Sequence, residues 1–109
     1  MKDLLEGAIA KFNEKAASDA SLRDELRGVR RTVLLDLRGG VAYHFVLNEG
    51  RIDGLVDGTI PNPDITITTD PETLRGLITR EMGPFKAYAT GKLKFKGSFD
   101  DLLRIRKFF

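Results

Sequence analysis

The fold is decided by residues 32–50, which read TVLLDLRGGVAYHFVLNEG. Apolar and polar side chains alternate on both sides of Gly39-Gly40, and this period of two is typical of β-strands that lie half-covered by a core. Paired glycines supply the positive φ angles of a tight turn without a Cβ clash. The stretch therefore predicts a β-hairpin with one apolar face, and the Asn-Glu-Gly that closes it predicts a second turn.

The segments around this hairpin complete an α+β pattern. An amphipathic helix precedes it, with an apolar stripe of Leu5, Ala8, Ile9, Phe12 and Ala16. Further strands are expected at 51–57, 64–69 and 92–96, and the first of these should complete an antiparallel meander. In that strand Ile52 and Val56 are expected on one face. Later helices begin at Asp70 and near Ser98.

The chain has the length of one domain, and no repeat or linker divides it. Residues 1–109 are therefore expected to form a single domain. The sequence contains no cysteine, which excludes a disulfide framework and a thiolate metal site. Its uncharged apolar runs are too short to span a bilayer. Acidic residues interrupt the start where a signal peptide would be apolar, and Lys107-Phe108-Phe109 is not a peroxisomal address. A cytoplasmic location is expected.

Charge is unevenly distributed, although the formal net charge is only +2. Residues 1–74 hold 9 basic and 13 acidic side chains, for a net charge of −4, whereas residues 75–109 hold 9 and 3, for +6. A basic final third suggests an anionic partner, such as a lipid surface, a nucleotide-bearing thioester or a nucleic acid. The alternative is solvated surface charge that serves solubility alone.

Groups able to perform catalysis are scarce. His44 is the single histidine, and no serine or threonine lies near it in sequence to form a nucleophile with its base. Asp53, Asp57 and Asp64 lack the alternating acids and distal glutamate of a calcium loop. No glycine-rich phosphate loop is present. We therefore expect no catalytic residue, no metal site and no cofactor.

The strand at 92–96 reads KLKFK and carries the most concentrated positive charge. Single-stranded nucleic acids are bound by aromatic side chains beside basic ones, but strand alternation places Phe95 on the face opposite the lysines. We therefore expect no nucleic-acid partner. The residues expected to contact an anionic head group or membrane surface are Lys86, Lys92, Lys94 and Lys96.

From residue 63 onward the chain resembles the sterol carrier protein type 2 family of lipid-binding domains. The resemblance rests on the strand PDITI at 63–67, the helix at 70–77 and the segment GPFKAYATGKLKFKG at 83–97. That segment is similar to the family's succession of a short alanine-bearing helix, a Gly-Lys-Leu-Lys strand entry and a closing glycine. Together with the order of elements, the resemblance covers roughly residues 32–109.

The resemblance implies a mixed, mostly antiparallel five-stranded sheet with helices packed on one face. It also implies an apolar tunnel between them that takes fatty acids, fatty acyl-CoA, phospholipids or sterols. We expect no attached thiolase or dehydrogenase domain and therefore a stand-alone, prokaryotic-type carrier, for which sterol is the less favoured ligand. The expected function is non-enzymatic binding, transfer or presentation of a lipid. The predicted lining residues are Leu77, Ile78, Met82, Phe85, Tyr88, Leu93, Phe95, Phe99 and Leu103.

The sequence is also compatible with two alternative functions. One is a protein-interaction or homodimerisation module, in which Phe108, Phe109 and the last helix dock on a partner. The other is an accessory factor that presents a quinone or another polyprenyl lipid to enzymes. For a carrier, an empty tunnel of roughly 300 Å³ would cost about 7 kcal/mol. We therefore expect the ligand-free form to be partly collapsed or mobile around the last helix, and we expect a ligand to raise the melting temperature.

Overall fold

The computed structural model describes the backbone of residues 1–105 and the side chains of residues 1–104. Its helices are α1 (Lys2–Ser18), α2 (Ala20–Glu25), α3 (Pro71–Ile78), α4 (Pro84–Ala89) and α5 (Phe99–Ile105). Its strands are β1 (Arg30–Leu37), β2 (Val41–Asn48), β3 (Arg51–Ile52), β4 (Val56–Asp57), β5 (Ile65–Thr69) and β6 (Leu93–Lys96). The predicted docking residues Phe108 and Phe109 lie outside the described residues.

The strands form one sheet in the order β3-β2-β1-β5-β6, and β4 pairs with β2 beyond the end of β3. β1 and β5 are parallel, and every other pairing described is antiparallel. The predicted α+β class and the mixed, mostly antiparallel sheet are confirmed. The described sheet has six strands rather than five because the segment predicted as one strand at 51–57 is split into β3 and β4.

The split is a bulge of one extra residue. Ile52 lies opposite Leu47 and Val56 lies opposite His44, so four steps along this segment match only three steps along β2. An extra residue reverses which side chains face the helices from that point on. Leu55 consequently packs against the core, while Val56 is 51% exposed. The prediction that Ile52 and Val56 share one face is wrong.

The helices cover the face of the sheet that carries the inward side chains of β1, β2 and β5. The larger core cluster contains Leu5, Val33, Leu35, Leu37, Tyr43, Ile65, Ile67, Leu74, Leu77, Ala87 and Leu93. The smaller cluster contains Phe12, Ala16, Leu22, Leu26, Val29, Leu47 and Ile52. Phe45 is half-buried and packs against both clusters. The core of this domain is thus divided in two, with the division running beneath α1.

Local sequence explains how the ends of the hairpin and of α3 are formed. Gly39 and Gly40 turn the chain between β1 and β2 with φ angles of +110° and +98°, which favour glycine. Asp70 caps α3 by accepting a hydrogen bond of 2.7 Å from the backbone N–H of Thr73, and Pro71 occupies the first turn, where a missing N–H costs nothing. Within the described residues, no helix has both the length and the apolar character needed to cross a membrane.

Candidate functional site

A cavity of about 60 Å³ lies where the two core clusters meet, between α1 and the apolar face of the sheet. Leu5, Ala8 and Ile9 of α1 form one wall, and inward side chains of β1, β2, β3 and β5 form the other. Leu55, which the bulge turns inward, also lines it. These walls are almost wholly apolar, so the cavity suits a hydrocarbon and offers a water molecule few partners.

The composition of α1 accounts for the gap. Leu5, Ala8 and Ile9 lie on one helical face, but the single methyl group of Ala8 is too short to fill the space above the sheet. The helix is held in place further along by Asn13, whose side-chain amide bonds the backbone of Ile52. This contact fixes α1 at the β3 edge of the sheet.

A charged cluster forms the rim of the cavity. Asp101 of α5 accepts bonds from Arg31 Nε, at 3.1 Å to each carboxylate oxygen, and from Arg104 Nη1 at 2.7 Å. The Asp101 side chain is only 5% exposed, and those of Arg31 and Arg104 are 33% and 24% exposed. We call these three residues the rim triad. It ties α5 to the start of β1 directly beside the apolar walls.

The predicted lining residues occupy three kinds of position. Leu77 and Leu93 are buried in the larger core cluster, and Ile78, Met82 and Phe95 pack against it. The exposed ones are Phe85 at 40%, Tyr88 at 46%, Phe99 at 71% and Leu103 at 40%. Among the described residues that line the cavity, none belongs to the predicted set. Their contact with a ligand stays a prediction.

Phe95 is the member of the predicted set that the sheet brings nearest to the cavity. It lies opposite Ile67 in the pairing of β5 with β6, and Ile67 is part of the cavity wall. A cavity that widened by one strand toward the β6 edge would reach the Phe95 ring.

All four predicted head-group lysines are exposed. Lys94 and Lys96 lie opposite Thr68 and Thr66 in the edge pairing, on the face of the sheet away from the core. A separate open groove of about 350 Å³ lies between α1 and the end of α3. Lys11, Lys15 and Arg80 contribute its positive charge, and Ile78 contributes to its apolar floor. Asp3 also lines the groove, so its four charged side chains sum to +2, although the charge count gave residues 1–74 a negative balance.

The sequence contained signals for several cavity residues that the predicted set leaves out. The stripe of α1 identified Leu5, Ala8 and Ile9 as inward, although not as cavity walls. Alternation along β1 places Arg31 on the same face as Val33, so a charged residue at an inward position marked the rim. Asp101 gave no comparable signal because an acid in the first turn of a helix is ordinary.

The remaining polar candidates have structural partners. His44 Nδ1 lies 2.9 Å from the Gly58 carbonyl oxygen, and because a carbonyl only accepts, this nitrogen carries the proton. Asp57 pairs with Lys2 at 2.9 Å, and Asp64 bonds the backbone and hydroxyl of Thr32. Within the described part of the chain, no group of three or more His, Cys, Asp or Glu side chains is placed to hold a metal ion.

Solved structures of known proteins share this fold. The UbiJ-SCP2 ubiquinone synthesis protein is 16% identical, with 98% of this chain and 94% of that one covered and a TM-score of 0.69. Palmitated SCP2L2 from Aedes aegypti is 17% identical, with 94% and 91% covered and a TM-score of 0.67. The inverting sec-alkylsulfatase from Pseudomonas sp. is 19% identical with a TM-score of 0.66; the match covers 80% of this chain but only 14% of the enzyme. At these identities the likeness shows the fold alone.

The sequence also matches a family model directly. A comparison with curated proteins finds no match. The model of the SCP-2 sterol transfer family, however, matches residues 9–109, which is nearly the whole chain and includes α1 as well as the segment that carries the resemblance. Its members are lipid-binding and lipid-transfer domains, in agreement with the apolar cavity between sheet and helices. The chain belongs to the SCP-2 sterol transfer family.

Proposed function

We propose that the chain binds the tail of a lipid, such as a fatty acid or fatty acyl-CoA, and transfers or presents it without catalysing a reaction. The observation that carries this proposal is the apolar cavity at the junction of the two core clusters. A relative with the same fold is described as palmitated, which adds support for a single-chain ligand. We propose the cytoplasm as the location, because the sequence has no cysteine that would need an oxidising compartment.

Binding a long tail requires this cavity to expand. At 60 Å³ it is well below the roughly 300–1,000 Å³ of most ligand pockets. A void of this size costs only about 1.4 kcal/mol in lost packing, which a small domain tolerates. Burial of a twelve-carbon tail contributes on the order of 9 kcal/mol before ordering costs. The free energy from the tail is therefore large enough to drive the walls apart.

The wall that moves in this proposal is α5. Of its described side chains, Asp101 is buried and Leu102 is half-buried against the core, whereas Phe99 is 71% exposed. Movement of this helix therefore loses little apolar burial, and its main cost is any stretching of the ion pair between Asp101 and Arg31. Its displacement would extend the cavity past Ile67 to Phe95, so the predicted lining residues of the C-terminal half would meet the ligand in the expanded form.

Thermal unfolding in the presence of palmitate tests the proposal. A ligand at one hundred times its Kd stabilises the folded state by about 2.7 kcal/mol, which for a domain near this size raises Tm by roughly 10 °C or more. The controls are ligand-free protein and protein with butyrate. The four-carbon chain of butyrate buries too little apolar surface to stabilise the protein measurably. A Tm that saturating palmitate leaves unchanged contradicts the proposal.

Two other functions predict different results in the same preparation. A homodimerisation or protein-interaction module would use exposed apolar side chains such as Phe99 and Phe85, and its mass in solution would depend on concentration without any bound lipid. A factor that presents quinones or polyprenyl lipids would copurify with a neutral lipid. The presence of a ubiquinone synthesis protein among the proteins of similar fold favours this candidate. Native mass spectrometry of protein purified from its own host identifies a copurifying lipid and so separates the three.

A further inference from the structure

The rim triad has more positive charge than its own pairing needs. Two guanidinium groups, from Arg31 and Arg104, contact one carboxylate, that of Asp101, so the rim triad itself carries a net charge of +1 beside the apolar walls. The exposed carboxylate of Asp64 also attracts Arg31 but forms no ion pair with it. Withdrawing these three charges from water, even in part, is costly. Replacing a buried ion pair with apolar residues often leaves a protein equally stable or more stable. A salt bridge that only anchors α5 to the sheet would need one arginine and one acidic residue.

The two arginines also retain donors for a further anion. Arg31 uses Nε on Asp101 and one Nη1 hydrogen on the carbonyl oxygen of Arg30. Each guanidinium has five N–H groups, so three on Arg31 and four on Arg104 are not used in these bonds with residues 1–104. The planar fork of these groups matches a carboxylate in two-point contact.

We propose that Arg31 and Arg104 bind the carboxylate head of a single-tailed lipid whose tail enters the cavity, so that the protein selects free fatty acids over neutral lipids. This inference rests on the proposed function and names its ligand class. A head group held at the rim has its first methylene groups at the mouth of the cavity, since both arginines line it. The apolar walls exclude water on one side, which strengthens the attraction between the ions.

The same arrangement disfavours ligands with uncharged heads. A hydroxyl group or a quinone carbonyl carries no charge, so it gains less from Arg31 and Arg104 than a carboxylate does. A thioester carbonyl is also uncharged, so the phosphates of a fatty acyl-CoA would have to bind elsewhere. The ligand class that satisfies both parts of the site is a long-chain carboxylate.

Binding of palmitate and of 1-hexadecanol, which has the same tail with a neutral head, tests the inference. Affinities are measured near pH 7.5 for the wild type and for Arg31→Gln, Arg104→Gln and Arg31→Lys. The control is Arg30→Gln, which changes an exposed arginine one position away on the same strand. Folding of each variant is checked by circular dichroism, and Arg104→Gln carries the test if Arg31→Gln does not fold.

We expect the wild type to bind palmitate roughly tenfold more tightly than hexadecanol. Arg31→Gln and Arg104→Gln should each lose roughly tenfold in palmitate affinity and leave hexadecanol affinity within about twofold. Arg31→Lys should lose part of the effect, because it keeps the charge but not the fork. Arg30→Gln should change neither affinity.

Three outcomes overturn a claim. Equal wild-type affinity for the two ligands overturns the head-group site but leaves lipid binding intact. Equal loss of both ligands in the Arg31 and Arg104 variants shows that the triad is a structural fastening and also overturns the site. Failure of the wild type to bind either ligand contradicts the proposed function itself.

Discussion

The side-chain amide of Asn13 forms two hydrogen bonds with the backbone of Ile52. Its Nδ2 donates to the Ile52 carbonyl oxygen at 2.7 Å, and its Oδ1 accepts from the Ile52 N–H at 2.8 Å. The amide thus pairs with the edge strand β3 as a neighbouring strand would, and it covers an edge that would otherwise be open for pairing with another chain. Because Ile52 also lines the cavity, this contact positions α1 over the candidate site.

Replacing Asn13 with Ala should destabilise the domain by about 2 kcal/mol, because both backbone groups of Ile52 lose their partly buried partner. Tm should fall by roughly 10 °C for a domain near this size. Asn48→Ala, at an exposed position at the end of β2, serves as the control and should change stability by less than about 0.5 kcal/mol. Equal stability of the two variants would show that the amide does not hold α1.

Filling the cavity should weaken palmitate binding without lowering the stability of the protein. In Ala8→Leu the longer side chain enters the space above the sheet, so the free energy of unfolding should stay equal or rise by up to about 1.4 kcal/mol. The same side chain occupies the place of the lipid tail, so palmitate affinity should fall at least roughly tenfold. Ala10→Leu, at an exposed position on the same helix, should leave binding unchanged. Unaltered binding in Ala8→Leu would place the tail elsewhere.

Acid should weaken the cap of α3. The backbone hydrogen bond from Thr73 holds the pKa of the Asp70 carboxyl below its usual value of 3.8. A carboxyl whose pKa is lower in the folded state contributes stability above the unfolded-state pKa and loses it as pH falls through the folded-state value. Urea unfolding should therefore show that the wild type loses more stability than Asp70→Asn between about pH 5 and pH 2.

The matched variants at this cap distinguish charge from hydrogen bonding. Asp70→Asn keeps an acceptor for the Thr73 N–H and should remain well folded at neutral pH, whereas Asp70→Ala should lose about 1 kcal/mol there. Identical acid sensitivity of the wild type and Asp70→Asn would mean that this carboxyl has no part in the pH dependence.

Delivery of lipid to membranes should depend on the lysines of β6. Lys94 and Lys96 are exposed on an edge strand, where an anionic surface attracts each by about 1 kcal/mol. Transfer of palmitate to vesicles that contain phosphatidylserine should slow by roughly tenfold in Lys94→Gln/Lys96→Gln and at high salt. Lys11→Gln/Lys15→Gln, an equal change of charge on α1, is the control. If neither high salt nor the β6 substitutions slow transfer, the β6 lysines do not have this role.

Periodicity was sufficient to predict most of the fold. The alternation on both sides of Gly39-Gly40, the capping pattern at Asp70 and the stripe of α1 all correspond to elements of the structure. The bulge before Val56 was not predictable, because Gly54 marks a weak point in a strand without showing whether a residue is inserted there. One inserted residue then exchanged the positions of Leu55 and Val56.

The candidate site was predictable only in its chemistry. The apolar character of the inward strand residues followed from the pattern, but the location of the gap depends on how far α1 lies from the sheet. One of the contacts that position α1 joins Asn13 to Ile52 across 39 positions, which no local pattern contains. The rim triad likewise joins Arg31 to Asp101 across 70 positions. Such pairs arise from topology and not from spacing along the chain.

The position of the lipid tail between α1 and the sheet can be measured through contacts between bound palmitate and methyl groups of the protein. In a sample with labelled methyl groups, nuclear Overhauser effects from the palmitate chain should reach Leu5, Val33 and Ile67, which line the cavity. Contacts confined to exposed side chains such as Leu103, with no effect at those three residues, would contradict the claim that the tail lies between α1 and the sheet.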